Sequence, residues 1–179
     1  MAGFFRTRVL LVLVGAALEI CALTSCQPAS TDRASPQSVA ATASPAENTL
    51  ANAPVRDLSR DEAEGGHILR KHVGQTEEQL RERLERERNI TGASTYTDRV
   101  TAERVVGAAI AESQAEIQRW LDRSGRRPNL VLDYDSEDPI GRTMNRGENH
   151  SHPCMHALVV LKYAAPDDYY VLTSYPECR

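Results

Sequence analysis

Two β-rich runs close the chain and constrain its fold more than anything before them. Met155 to Tyr163 and Tyr169 to Tyr175 are rich in Val, Leu and Tyr. Five residues join them, Ala164-Ala-Pro-Asp-Asp168. Such a pattern predicts an antiparallel hairpin. If Tyr163 pairs with Tyr169, then Cys154 lies opposite Cys178. Directly opposed residues have Cβ atoms ~4.5–5.5 Å apart, close to what a disulfide needs. The same register puts Thr173 and Tyr175 on one face with Ala157, Val159, Leu161 and Val171, and His156 on the other. A one-residue slip reverses that assignment.

Upstream of the hairpin the pattern is helical. Ser59 with Glu62 has capping-box spacing and predicts a helix start. His67 to His72 continues helically after Gly65-Gly66 and ends near Gly74. Thr76 caps a second helix, Glu77 to Arg88, with Leu80 and Leu84 as its apolar stripe. Thr95 to Asp98 reads as a short β-like segment. A third helix runs from Thr101 to Leu121, stopped by Gly125 and Pro128. Asn129 to Tyr134 and Ile140 to Met144 read as strands, and Glu148 to Pro153 as a loop. Helices first and antiparallel strands after them make an α+β domain.

The N-terminus reads as a targeting segment. Arg6 and Arg8 precede an apolar run, Val9 to Leu23, broken only by Glu19. Leu23-Thr24-Ser25-Cys26 then resembles a lipoprotein cleavage box, with Cys26 as the lipidated residue. The run is short for a membrane span, which needs ~20 residues. Residues 26–57 are rich in Ala, Ser, Thr and Pro and read as a disordered tether. The organisation expected is a signal peptide at 1–25, a tether at 26–57 and one globular domain at 58–179. In an exported chain the Cys154–Cys178 bridge is favoured. Cys21 leaves with the signal and Cys26 is lipidated, so no thiol is left over.

Charge argues against a general nucleic-acid binder. Arg6, Arg8, Arg33 and Arg56 balance Glu19, Asp32, Glu47 and Asp57, so the formal net charge of −4 belongs to the domain. A nucleic-acid surface favours excess base. A local basic groove would still serve a transient substrate.

Two segments at opposite ends of the domain carry chemistry. Gly65-Gly66-His67-Ile-Leu-Arg-Lys71-His72-Val73-Gly74 presents histidine at the opening of a helix. Thr173 and Tyr175 on the closing strand leave it from one face. A histidine with a pKa of ~6.5 facing hydroxyls across a groove suits acid–base chemistry. His150, His152 and His156 form a rival cluster with the look of metal ligands. Their spacing completes no four-ligand zinc site without Cys154 or a remote carboxylate.

With Ser94-Thr-Tyr-Thr-Asp-Arg99 and Thr101-Ala-Glu-Arg104 between them, these two segments resemble the bacterial RNase A-like domain. That domain ends some contact-dependent growth-inhibition toxins and related secreted proteins. The resemblance covers about Leu58 to Cys178 and implies helices packed on an antiparallel, RNase A-like sheet. It implies a metal-independent endoribonuclease without cofactor that cleaves RNA by transphosphorylation to a 2′,3′-cyclic phosphate. His67 matches the family's histidine, with His72 as its competitor. Arg83 matches the family's arginine, with Arg81 and Lys71 as alternatives. Thr173 and Tyr175 match its closing-strand pair. Lys71, His72 and Arg81 are then candidate substrate contacts. A toxin of this kind implies an immunity protein that plugs the groove. The chain is expected to be a monomer, tethered to a membrane through Cys26 in the cell envelope, or secreted. Two other readings compete. One is a non-catalytic envelope lipoprotein that binds a partner with the same fold. The other is a metal-binding protein built on His150, His152 and His156.

Overall fold

A computed structural model describes residues 49–165 and 168–179. A short 3₁₀ turn, Thr49–Asn52, comes first. Helices α1 (Leu58–Ala63), α2 (Ile68–His72) and α3 (Glu77–Arg86) follow, then strand β1 (Gly92–Tyr96). Helices α4 (Arg99–Glu112) and α5 (Gln114–Leu121) lead into β2 (Leu130–Asp135), β3 (Gly141–Asn145), β4 (His152–Cys154), β5 (His156–Ala165) and β6 (Asp168–Glu177). The fold is α+β, with two antiparallel three-stranded sheets ordered β1-β3-β4 and β2-β5-β6.

Local chemistry explains the helix ends. Thr76 and Gln79 form a reciprocal capping box at the start of α3. At α1 the cap is Asp57, whose carboxylate takes the Ser59 amide, so Ser59 is not the capping residue. Glu62 instead reaches forward to the Leu69 amide and the Arg70 guanidinium. The single long helix expected from Thr101 to Leu121 is two, because Ser113 leaves helical geometry between α4 and α5. Asp98 caps α4 by accepting from the Thr101 amide. The segment 148–153, expected as a loop, contributes β4, which pairs with β3 despite Pro153. Proline is tolerated on such an edge.

The main core lies between α4, α5 and the β2-β5-β6 sheet, around Val105, Val106, Trp120, Leu132, Val159 and Leu161. A smaller one sits under α3, where Leu80 and Leu84 meet Ala93 and Met144. Part of the expected tether is ordered. Leu50 and Ala53 pack on the core. A Cβ on Gly107 would lie 1.9 Å from the Pro54 carbonyl, so glycine lets the strap seat on α4. Cys26 and the signal-like segment lie outside the described residues, as do Pro166 and Asp167 of the hairpin turn. Among the described residues no helix is long and apolar enough to cross a membrane.

The closing hairpin begins in the expected register and then slips. Tyr163 opposes Tyr169 and Leu161 opposes Val171, but Val160 opposes Thr173 and Leu158 opposes Tyr175. Leu172 is the extra residue of a β-bulge. Past it the faces exchange. Thr173 and Tyr175 leave the face of Ala157, Val159 and Leu161, and share one with His156. The earlier assignment of faces is therefore reversed for this pair. Ser174 turns inward instead and hydrogen-bonds the Tyr96 hydroxyl at 2.5 Å, which ties the two sheets together.

Cys154 and Cys178 are joined in a disulfide with Cα atoms 4.8 Å apart. It links β4 of one sheet to the end of β6 in the other. Replacing both cysteines with alanine is expected to lower stability by about 3 kcal/mol in the chain-entropy model. Urea unfolding compares the two proteins. A difference below about 1 kcal/mol would show that the sheets hold together without the bridge.

Candidate active site

A cleft of about 530 Å³ opens where the two sheets meet α2 and α3. Its lining includes His67, His72, Arg83, Ser94, Thr173 and Tyr175. Residues far apart in sequence meet because α2 packs on β6 and α3 packs on β1.

His67 stands at the N-cap position of α2, yet its side chain makes no capping bond. The imidazole is left to face the cleft rim. Its backbone N–H donates to the Leu172 carbonyl at 3.1 Å, fixing the start of α2 against the bulge. Partial burial, then the Lys71 and Arg70 charges, lower its pKa below the usual 6.5.

His72 is buried at 6% exposure. Its Nδ1 lies 3.2 Å from the Ser94 carbonyl oxygen. A carbonyl only accepts, so Nδ1 carries the proton and Nε2 keeps the lone pair. The ring centre lies 5.5 Å from that of Tyr175 and 6.1 Å from that of His67. Burial, followed by the Arg83 charge, lowers the His72 pKa to about 3.

Arg83 projects from α3 with its side chain only 14% exposed. Nη1 donates to the Lys71 carbonyl and Nε to Glu87. These bonds hold the guanidinium at the cleft edge, and Nη2, without a hydrogen bond among the described residues, is left for an anion. A planar guanidinium suits phosphate oxygens.

The two hydroxyls of β6 complete the arrangement. Thr173 Oγ1 is buried and has no hydrogen-bond partner among the described residues. Such an atom costs free energy unless a ligand satisfies it. Burial and the neighbouring Glu177 raise the Tyr175 pKa above 10, so its hydroxyl stays a donor at neutral pH.

Other candidates fall elsewhere. Arg81 is held by Glu78 and the Asn149 carbonyl and does not reach the cleft. Lys71 lies outside it, in a smaller neighbouring hollow that shares Arg83. The three histidines of the rival cluster are not brought together. His150 faces Glu77 and His152 faces Glu148. His156 is buried between Asp133 and Asp135. Among the described residues no group of three or more His, Cys, Asp or Glu side chains is set to hold a metal ion.

Ser94, Thr143 and Asn145 also line the cleft and were not singled out from sequence. Ser94 stands inside a motif already noted, but strand alternation was the only signal that it faces inward.

A family model described as the bacterial CdiA-CT RNAse A domain matches residues 66–176. In a crystal structure of a CdiA-CT/CdiI complex from Y. kristensenii, one chain is 35% identical to this one. The match covers 63% of this chain and 99% of that one, with a TM-score of 0.57. No curated protein matches the chain.

Proposed function

The chain belongs to the bacterial CdiA-CT RNase A domain family and is an RNase-like endoribonuclease, and from that premise we propose that it cleaves RNA by transphosphorylation at the His67–His72–Arg83 cleft. The observation that carries this reading is the pair of histidines beside Arg83 and the unsatisfied Thr173 hydroxyl. Transphosphorylation needs a base for the 2′-OH, an acid for the departing 5′-oxygen and a clamp for phosphorane charge.

His72 is the base in this mechanism. Its Nδ1–H bond to Ser94 orients the ring and leaves Nε2 free to take the 2′-OH proton. A phosphodiester against Arg83 offsets the repulsion that helps hold the His72 pKa so low. His67, less buried and nearer its ordinary pKa, returns a proton to the 5′-oxygen. Arg83 and the Thr173 hydroxyl hold the nonbridging oxygens. Tyr175 donates a hydrogen bond and packs against the base. DNA lacks the 2′-OH and is not cut.

The tethered, exported organisation expected from the N-terminus fits an effector delivered outside the cell that makes it. The relative was crystallised as a CdiA-CT/CdiI complex, and a small protein of that kind covering the cleft is the partner proposed here.

The test is total RNA with the full chain in the presence of a chelator, beside His67→Ala and His72→Gln. Fragments ending in 2′,3′-cyclic phosphate from the parent protein alone support the reading. Intact RNA at micromolar protein overturns it. The pH profile adds a second check. The base must be unprotonated, so activity rises above the His72 pKa of about 3. The acid must be protonated, so activity falls as pH passes the His67 pKa, below 6.5. The kcat/KM optimum is therefore mildly acidic. Lys71→Met removes a charge that depresses His67, so the alkaline limb should move up. An optimum above pH 8 is incompatible with this assignment.

A further inference from the structure

We propose that Asp61 is a positioning residue that sets both walls of the cleft at once; the proposal rests on the ribonuclease reading above. Asp61 lies on α1 between the charged residues Arg60 and Glu62, yet it is 1% exposed. Its carboxylate takes two bonds from Arg56, Nη2 to Oδ1 at 2.7 Å and Nε to Oδ2 at 2.9 Å. Oδ1 also accepts from the Val171 amide at 2.8 Å. Its backbone carbonyl accepts from the Gly66 amide at 2.9 Å.

Gly66 immediately precedes His67, and Val171 immediately precedes the bulged Leu172. One residue further along each chain, His67 N–H donates to the Leu172 carbonyl. Asp61 thus grips the two segments that carry His67 on one wall and Thr173 and Tyr175 on the other. The approach is close. A Cβ on Gly66 would meet the Val171 carbonyl oxygen at 2.6 Å and the Asp61 carbonyl oxygen at 2.8 Å.

A carboxylate serves here for a definite reason. β6 is the edge strand of its sheet, so amides on its outer side have no neighbouring strand to serve them. Asp61 takes up the Val171 N–H beside the bulge, and the bulge is what turns Thr173 and Tyr175 toward the cleft. Burying an ion pair is seldom the most stable filling of a site, since apolar side chains of similar volume often do as well or better. A two-pronged Arg56–Asp61 pair does fix the carboxylate in one orientation, and so fixes the slip of register.

The experiment uses the full chain and two variants. Asp61→Asn keeps a carbonyl acceptor but loses the charge that orders Arg56. Arg56→Lys keeps the charge but loses the two-pronged grip. For Asp61→Asn the expected result is a fall in kcat on RNA of about tenfold or more, with KM within about twofold. Arg56→Lys should lose kcat by about three- to tenfold, again at unchanged KM. Amide exchange at His67 and Val171 should quicken in both, beyond any change at core amides. Val106→Ala, a core truncation remote from the joint, should lower Tm yet keep kcat per folded molecule. If the Asp61 and Arg56 variants behave like Val106→Ala, the residue is merely structural and the proposal fails. If Asp61→Asn does not fold, Arg56→Lys decides alone. If the parent protein cuts no RNA, the ribonuclease reading fails separately. Unchanged exchange at His67 and Val171 would still overturn the joint.

Discussion

His72→Gln should lower kcat/KM at least 100-fold while leaving a folded protein, because general-base catalysis of this kind contributes roughly 10²–10⁴. Glutamine retains a side-chain N–H for the Ser94 carbonyl but offers no nitrogen lone pair to the 2′-OH. The loss is then chemical rather than a collapse of the cleft. Circular dichroism and thermal unfolding establish folding, and initial rates on a short RNA give the kinetics. A drop of less than tenfold would remove His72 from the base role and leave His67 as the sole candidate. Stability supplies an independent check with a defined sign. The His72 pKa in the folded protein is about 3, well below the ~6.5 of an unfolded histidine. Between those values the unfolded chain binds more protons. Stability from this site is therefore intact above pH 6.5 and is lost progressively as pH falls toward 3. With His72 only 6% exposed, the effect should amount to a few kcal/mol across that window. In His72→Gln this part of the pH dependence should vanish. Persistence of the full slope in the variant would assign acid lability to other groups.

The parts of the fold that were legible from sequence are those set by local chemistry. Thr76 announced α3 because an N-cap needs only residues within one turn. The turn that pairs Tyr163 with Tyr169 was equally local. What lay beyond reach depended on distant partners. Leu172 has no glycine or other marker of a bulge, and it bulges where Asp61 reaches across from α1 to take the Val171 amide. The faces of Thr173 and Tyr175 were misassigned for that reason, although both residues remain in the cleft. Asp61 itself sits in Leu-Ser-Arg-Asp-Glu-Ala, where nothing separates a buried carboxylate from exposed ones. His72 and Arg83 were visible as residue types. Sequence could not show that a carbonyl on β1 fixes the tautomer of one, or that the end of α2 pins the other. Arg81 and Arg83 show the limit most simply. Two positions apart on α3, they point to different surroundings, and only the contacts of the folded chain separate them.

That separation makes Arg83→Ala a sharp experiment. Charge on the nonbridging oxygens grows as the phosphorane forms, so a preorganised guanidinium acts more on the transition state than on bound RNA. Removal of one such donor typically costs about 10²–10³ in kcat, or roughly 3–4 kcal/mol. Arg83→Ala should show that loss with a much smaller rise in KM. Arg83→Lys should recover only part of it, since an ammonium cannot keep the bonds to Lys71 and Glu87 while presenting a second nitrogen. Arg81→Ala should keep the parental rate, because Arg81 is already engaged by Glu78 and the Asn149 carbonyl. The pH profile distinguishes this role from simple substrate binding. The Arg83 charge is the second cause, after burial, of the depressed His72 pKa. Taking it away should raise that pKa and carry the acid limb upward from about 3. A variant that loses rate with its acid limb unmoved would place Arg83 on the phosphate but not beside the base. Parental kcat in Arg83→Ala would shift the clamp to the Thr173 hydroxyl.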